Sequence, residues 1–165
     1  MVTVRAPATS ANLGSGFDTF GVALKTPADV VHVERAAETT ISVTGTGARY
    51  IPEAPGDNTV GAVAAALDAP ARIEIDKGVR PSSGMGSSAA SAAAAAVALN
   101  ELYDRGYTRR ELVAVAAEGE AVVSGAAHAD NVAPALLGGF TITRPDGPTV
   151  VDASLRLVVA LPDDP

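Results

Sequence analysis

The chain has 165 residues, 47% hydrophobic and 19% charged, the mix of a globular protein long enough to bury roughly 70% of the surface its unfolded form exposes. Nineteen acidic residues against twelve basic ones give a net charge of −7, and the basic residues are dispersed, which excludes a nucleic-acid partner because phosphate backbones demand clustered Lys and Arg. The absence of Cys excludes disulfides and thiolate metal sites, two isolated His leave no zinc set, and the longest apolar run, Ala89 to Leu99, is too short for a membrane span.

The opening Met1-Val2-Thr3-Val4-Arg5 has neither the basic start nor the apolar centre of a signal peptide, so a cytoplasmic protein is expected. Alternating Val2, Val4 and Ala6 predict a strand ended by Pro7, leading into a Gly-rich turn over Asn12-Leu13-Gly14-Ser15-Gly16. Asp29 to Glu34 and Thr40 to Thr44 read as β-branched strands closed by Gly45 and Gly47, and an antiparallel pair is their expected arrangement. Asp57 or Asn58 can cap a short helix through Leu67, and Arg72 to Asp76 alternates as a half-buried strand. From Ser87 to Tyr103 no Gly or Pro interrupts a run of strong helix formers, and Thr108 starts a second helix with Glu111 at its capping-box position. Asp130 and Asn131 can cap a further turn of helix over Val132 to Leu137. Gly139 to Thr143 and Leu155 to Leu161 read as strands, the last apolar enough to be buried. This order is mixed α+β. A buried strand followed at once by Pro162-Asp163-Asp164-Pro165 is an unusual ending, and the expectation is a chain that stops inside a larger protein.

Pro81-Ser82-Ser83-Gly84-Met85-Gly86-Ser87-Ser88-Ala89 lies between a predicted strand and a predicted long helix. Gly84 and Gly86 permit backbone conformations in which successive N–H groups face an anion, and the helix starting near Ser87 adds its unpaired N–H groups and positive dipole end. Ser87 and Ser88 can donate hydroxyls to phosphate or place one on a hard cation such as Mg²⁺. A plain Gly-Ser turn with Ser as helix cap is the alternative for these residues taken alone. No Lys follows the last Gly, so this is not a P-loop, and Gly-x-Gly-x-x-Gly is unmatched, so it is not a dinucleotide fingerprint.

The segment resembles the phosphate loop of the GHMP kinases (galactokinase, homoserine kinase, mevalonate kinase and phosphomevalonate kinase), Pro-x-x-x-Gly-Leu-Gly-Ser-Ser-Ala, departing at Met85 and in having two residues rather than three between Pro81 and Gly84. Pro7 to Asp18 is similar to the first signature of the homoserine kinases within that family, and His128 to Phe140 to a later one. The resemblance implies a mixed β-sheet with helices packed on one face, related to the second domain of ribosomal protein S5. It implies residues 1–153 as an ATP-binding N-terminal domain and 154–165 as the start of a C-terminal domain that should hold a further Gly-rich loop and substrate-clamping arginines. It implies ATP and Mg²⁺ as cofactors, with Pro81 to Ala89 around the phosphates and Ser88 and Glu120 on the metal. L-Homoserine would be the acceptor, phosphorylated on its side-chain hydroxyl in threonine biosynthesis, with Asn12, Asp18 and Asn131 orienting it.

Asp130 occupies a position that serves as catalytic base in some relatives, but a loose phosphoryl-transfer transition state needs little from a base, so positioning ranks first for it. Outside the resemblance, Asn12 and Asp18 suit turn formers, Glu120 a solvent-facing helix carboxylate, and His128 a hydrogen-bonded structural residue with no proton-transfer role. The helix after Asn58 is short for the family, which bears on the purine pocket. Another small-molecule kinase acting on mevalonate, shikimate or a sugar, a nucleotide-binding module without catalysis, and a fragment that does not fold are the competing readings. A homodimer of the full-length enzyme is left open.

Overall fold

The computed structural model describes residues 1–125, 129–153 and 155–160. Among them are six strands, β1 (Val2–Ala11), β2 (Phe20–Arg35), β3 (Thr40–Gly45), β4 (Ala71–Lys77), β5 (Phe140–Ile142) and β6 (Thr149–Val151). Four α-helices accompany them: α1 (Thr59–Ala66), α2 (Ser87–Tyr103), α3 (Arg109–Ser124) and α4 (Ala129–Leu137). The long β2 organises a single mixed sheet. It pairs antiparallel with β1 on one side; on the other its C-terminal half pairs with β4 and its N-terminal end with β5, with β3 beyond β4 and β6 beyond β5.

Strand parity sets which face is covered. On β4, Ala71, Ile73, Ile75 and Lys77 are buried and Arg72, Glu74 and Asp76 are exposed; on β2, Asp29, Val31 and Val33 are buried while His32 and Glu34 are not. Helix α2 packs on β1 and β2 over this face and meets α1, α3 and α4 with its other sides. That position explains its Ala content: Ala89 to Ala96, Ser91 included, and Ala98 and Leu99 are buried, and only short side chains let a helix approach neighbours all round. The larger fully buried side chains, Ile73, Leu99, Leu112, Val31 and Val33, each stabilise by about 1.5–3 kcal/mol on leaving water.

Helix ends follow the local signals. The Asn58 side chain accepts from the Val60 N–H, Thr108 and Glu111 form a reciprocal capping box, and Gly125 closes α3 in the left-handed region. Strand neighbours differ from expectation in three places. The strands at Asp29 and Thr40 are not a pair, because β4 lies between them, antiparallel to β2 and parallel to β3. The reason is burial: β4 has four covered side chains and takes the interior, whereas β3 buries only Ile41 and takes the edge. β1 does not stop at Pro7; Pro is tolerated because β1 pairs only with β2, and the register shifts between Pro7 and Thr9.

Leu155 to Val159 is not a buried strand. Val158 is 98% exposed, and Leu155, Leu157 and Val159 turn toward a groove along Val22 to Thr26. An apolar strand needs a hydrogen-bonded neighbour and cover on its faces. No helix among the described residues is long and apolar enough to cross a membrane.

Candidate active site

Strand β4 delivers the chain to Gly78, and residues 78–86 turn it back into α2 beside a cavity of about 400 Å³. Pro81, Ser82, Ser83, Gly84, Gly86, Ser87 and Ser88 line one side, and Tyr50, Ile51, Pro52, Asp57, Asn58 and Thr59 the other. The loop bends through left-handed backbone at Ser82, Gly84 and Gly86. It is braced from within, Ser83 Oγ donating to the Arg80 carbonyl at 2.6 Å and Ser87 Oγ to the Val79 carbonyl at 2.8 Å. Gly86 is the N-cap of α2 and brings no side-chain acceptor, so the first-turn N–H groups of the helix, which have no intrahelical partner, are presented at the cavity.

Two of the phosphate-loop candidates contribute no side chain here. Met85 is buried against Ala8, Val79 and Ala90, and Ala89 lies in the main core. Their part in anion binding is confined to the backbone.

Ser88, in the first turn of α2, donates its hydroxyl to Glu120 Oε2 at 3.0 Å. Glu120 is 4% exposed, so it is not the solvent-facing carboxylate its helix pattern allows. Its neighbour Gly119 brings α3 close: a Cβ there would lie 2.8 Å from Val63 Cγ2 and 3.2 Å from the Thr59 carbonyl of α1. Two hard oxygens, a hydroxyl and a carboxylate, thus stand together at the helix N-terminus.

The acceptor candidates occupy the adjoining end of β1. Asn12 and Asp18 are exposed, both in left-handed backbone, and Asn12 Oδ1 accepts the Asp18 N–H at 2.8 Å, so the turn-forming role is real and leaves the Asn12 Nδ2 and the Asp18 carboxylate facing out. Asp130 and Asn131 stand in the first turn of α4; Asp130 is 2% exposed and its Oδ1 accepts from Asn131 Nδ2 at 3.4 Å. Asn131 reaches the first signature directly, its Oδ1 accepting the Thr9 hydroxyl at 2.9 Å. Thr9 in turn meets the phosphate loop, its N–H donating to the Met85 carbonyl at 3.0 Å. The three segments that carry the resemblance therefore converge. His128 lies outside the described residues.

Sequence reasoning missed a charged network under the loop. Lys77 ion-pairs with Asp29 and donates to the Ser87 carbonyl at 2.7 Å and to Ser91 Oγ at 2.9 Å. Asp29 Oδ1 accepts the Gly78 and Val79 N–H groups at 3.0 and 2.9 Å, and its Oδ2 accepts Ser91 Oγ at 2.7 Å. Burial pushes the Lys77 ammonium below the ordinary lysine value, while the Asp29 charge and, further off, Glu120 pull it back up. The signal was parity: Asp29 shares the buried face of Val31 and Val33, and Lys77 that of Ile73 and Ile75.

Comparison with known proteins finds likeness to the GHMP kinases. Residues 58–139 match the family described as GHMP kinases N terminal domain. Over 163 residues the chain is 77% identical to a homoserine kinase of Halorubrum lacusprofundi and 74% identical to one of Natronomonas pharaonis, in each case 99% of this chain and 56% of the relative. The crystal structure of homoserine kinase from Cytophaga hutchinsonii superposes with a TM-score of 0.75 at 38% identity, covering 88% of this chain and 49% of that one. The chain thus spans little more than half the length of the curated relatives it matches.

Proposed function

We propose that the chain is part of a GHMP kinase, and that this protein transfers the γ-phosphoryl group of ATP to the side-chain hydroxyl of L-homoserine, giving O-phospho-L-homoserine and ADP. The observation that supports this most is the meeting of Ser88 and Glu120 at 3.0 Å where the Gly-rich loop enters α2, with the acceptor asparagine hydrogen-bonded to the strand that clasps the same loop.

In this reading the triphosphate lies against residues 82–88, where loop amides and the helix N-terminus meet its charge without reorganising. The nucleoside lies toward Tyr50, Ile51, Pro52 and Asn58, across a cavity shaped in part by the short α1. The Ser88 hydroxyl and Glu120 carboxylate fit Mg²⁺, which prefers oxygen and keeps part of its shell for phosphate and water. Bound there, the ion would neutralise charge on the phosphates.

Asn12 Nδ2, the Asp18 carboxylate and Asn131 hold the acceptor, Asp18 being suited to the ammonium group. The acceptor hydroxyl oxygen forms the new bond to the γ-phosphorus as the bond to the ADP oxygen breaks, and the hydroxyl proton is released. Asp130 positions Asn131 rather than taking that proton, since positioning and electrostatics supply most of the rate in such transfers.

The test is a coupled ADP-release assay with ATP and Mg²⁺ against L-homoserine, mevalonate, shikimate and galactose, on the protein at its natural full length. Turnover selective for homoserine is expected. Selective turnover of another acceptor would overturn the acceptor assignment, and nucleotide binding without turnover of any would overturn the kinase reading.

A further inference from the structure

The Thr9 side chain is fully buried on β1, at the point where the strand changes register against β2: Pro7 faces Ala28, yet Thr9 faces Ala23. Irregularities of this kind re-aim a side chain relative to the pleat. Here the result is a residue that holds two motifs at once. Its N–H donates to the Met85 carbonyl of the phosphate loop, and its hydroxyl donates to Asn131 Oδ1 on α4.

The chemistry of the two groups fixes an orientation. A hydroxyl carries one hydrogen, and by giving it to the amide oxygen Thr9 holds Asn131 with its Oδ1 toward β1 and its Nδ2 turned away. Nδ2 then contacts Asp130 Oδ1 at 3.4 Å and keeps a second hydrogen for a ligand. Gly86 closes the arrangement from the loop side. A Cβ at that position would lie 2.1 Å from Thr9 Oγ1 and 2.9 Å from Asn131 Oδ1, so the loop backbone rests directly on the Thr9–Asn131 hydrogen bond.

We propose that Thr9 is a positioning residue for the acceptor: its hydroxyl sets the Asn131 amide and registers it against the phosphate loop at Gly86, so that acceptor hydroxyl and γ-phosphate meet at a fixed spacing. This rests on the homoserine kinase reading of the site. Thr9 touches neither substrate; it acts through Asn131.

Thr9→Val keeps the shape and removes the hydroxyl, and Thr9→Ser keeps the hydroxyl. In steady-state kinetics on the protein at its natural full length, Thr9→Val is expected to lower kcat/KM for homoserine about 10- to 100-fold, the loss of one hydrogen bond compounded by misplacement of a reacting group. KM for ATP should stay within about 2-fold in the same variant, because the phosphate loop keeps its own braces, and Thr9→Ser should restore most of the homoserine response. Unchanged homoserine kinetics in Thr9→Val, or equal losses for ATP and homoserine, would overturn the proposal. If Thr9→Val does not fold, Thr9→Ser against Thr9→Ala makes the same comparison with the methyl absent from both, and equal activity of that pair overturns it. Failure of the wild-type protein to phosphorylate homoserine is seen before any variant is compared, and counts against the acceptor reading itself.

Discussion

Ser88 and Glu120 lie 32 residues apart in the chain and 3.0 Å apart in space, and every property asked of them depends on that distance. Ser88→Ala together with Glu120→Ala is expected to cut Mg²⁺-dependent turnover by about 10²-fold or more, since each removes an oxygen from charge stabilisation of the phosphates. Turnover near the wild-type rate at limiting Mg²⁺ would remove the metal assignment. Lys77 carries a different expectation. Its removal in Lys77→Met leaves the Asp29 carboxylate buried without its counter-charge, so stability should fall by about 3–5 kcal/mol, read from the urea midpoint. A loss below about 1 kcal/mol, the range of exposed pairs, would show that water reaches the pair. At this scale the Gly-Ser loop was legible as a loop because Gly84 and Gly86 permit the left-handed backbone that turns β4 into α2. The Asp29–Lys77–Ser91 network was not, because its members come from β2, β4 and α2 and only parity along each strand marks the first two as inward.

Helices declared their ends and strands withheld their neighbours, for one physical reason. A cap is satisfied within three or four residues, as at Thr108 and Glu111, whereas the place of β4 between β2 and β3 is settled by which strand has most apolar surface to cover. The same contrast explains α2, read correctly from Ser87 to Tyr103, and Leu155 to Val159, whose apolar residues face β2 without forming a strand. The capping box of α3 also gives a pH-dependent expectation. The Thr108 hydroxyl and N–H bonds hold the Glu111 carboxyl below its ordinary value of 4.5. Its contribution is therefore fully present above that value and is lost as pH falls through the lower folded value. Thr108→Ala should cost about 1 kcal/mol at neutral pH and less in acid; a cost that does not change with pH would show that the carboxylate bonds contribute nothing.

The whole molecule carries a net charge of −7, with Lys25 and Lys77 the only lysines against ten Arg, and Lys77 is buried. An acid-rich surface of this kind repels itself at low ionic strength, so the melting temperature should rise from low to molar KCl; a flat or falling profile would show that the acidic residues are already compensated. At this scale three segments, which include Thr9, Met85 and Asn131, meet through Thr9 in a fold that places β1 beside β2 and α2 across both. Their order in the chain was visible from the beginning; their meeting through Thr9 was not, because a single buried Thr in a strand has no sequence signature. The most direct test of the account is ³¹P NMR of ATP, Mg²⁺ and L-homoserine with the protein at its natural full length. The account predicts loss of the γ-phosphate signal with stoichiometric appearance of a phosphomonoester of homoserine, abolished in Ser88→Ala/Glu120→Ala. Release of inorganic phosphate alone, or ester formation that survives the double substitution, would contradict it.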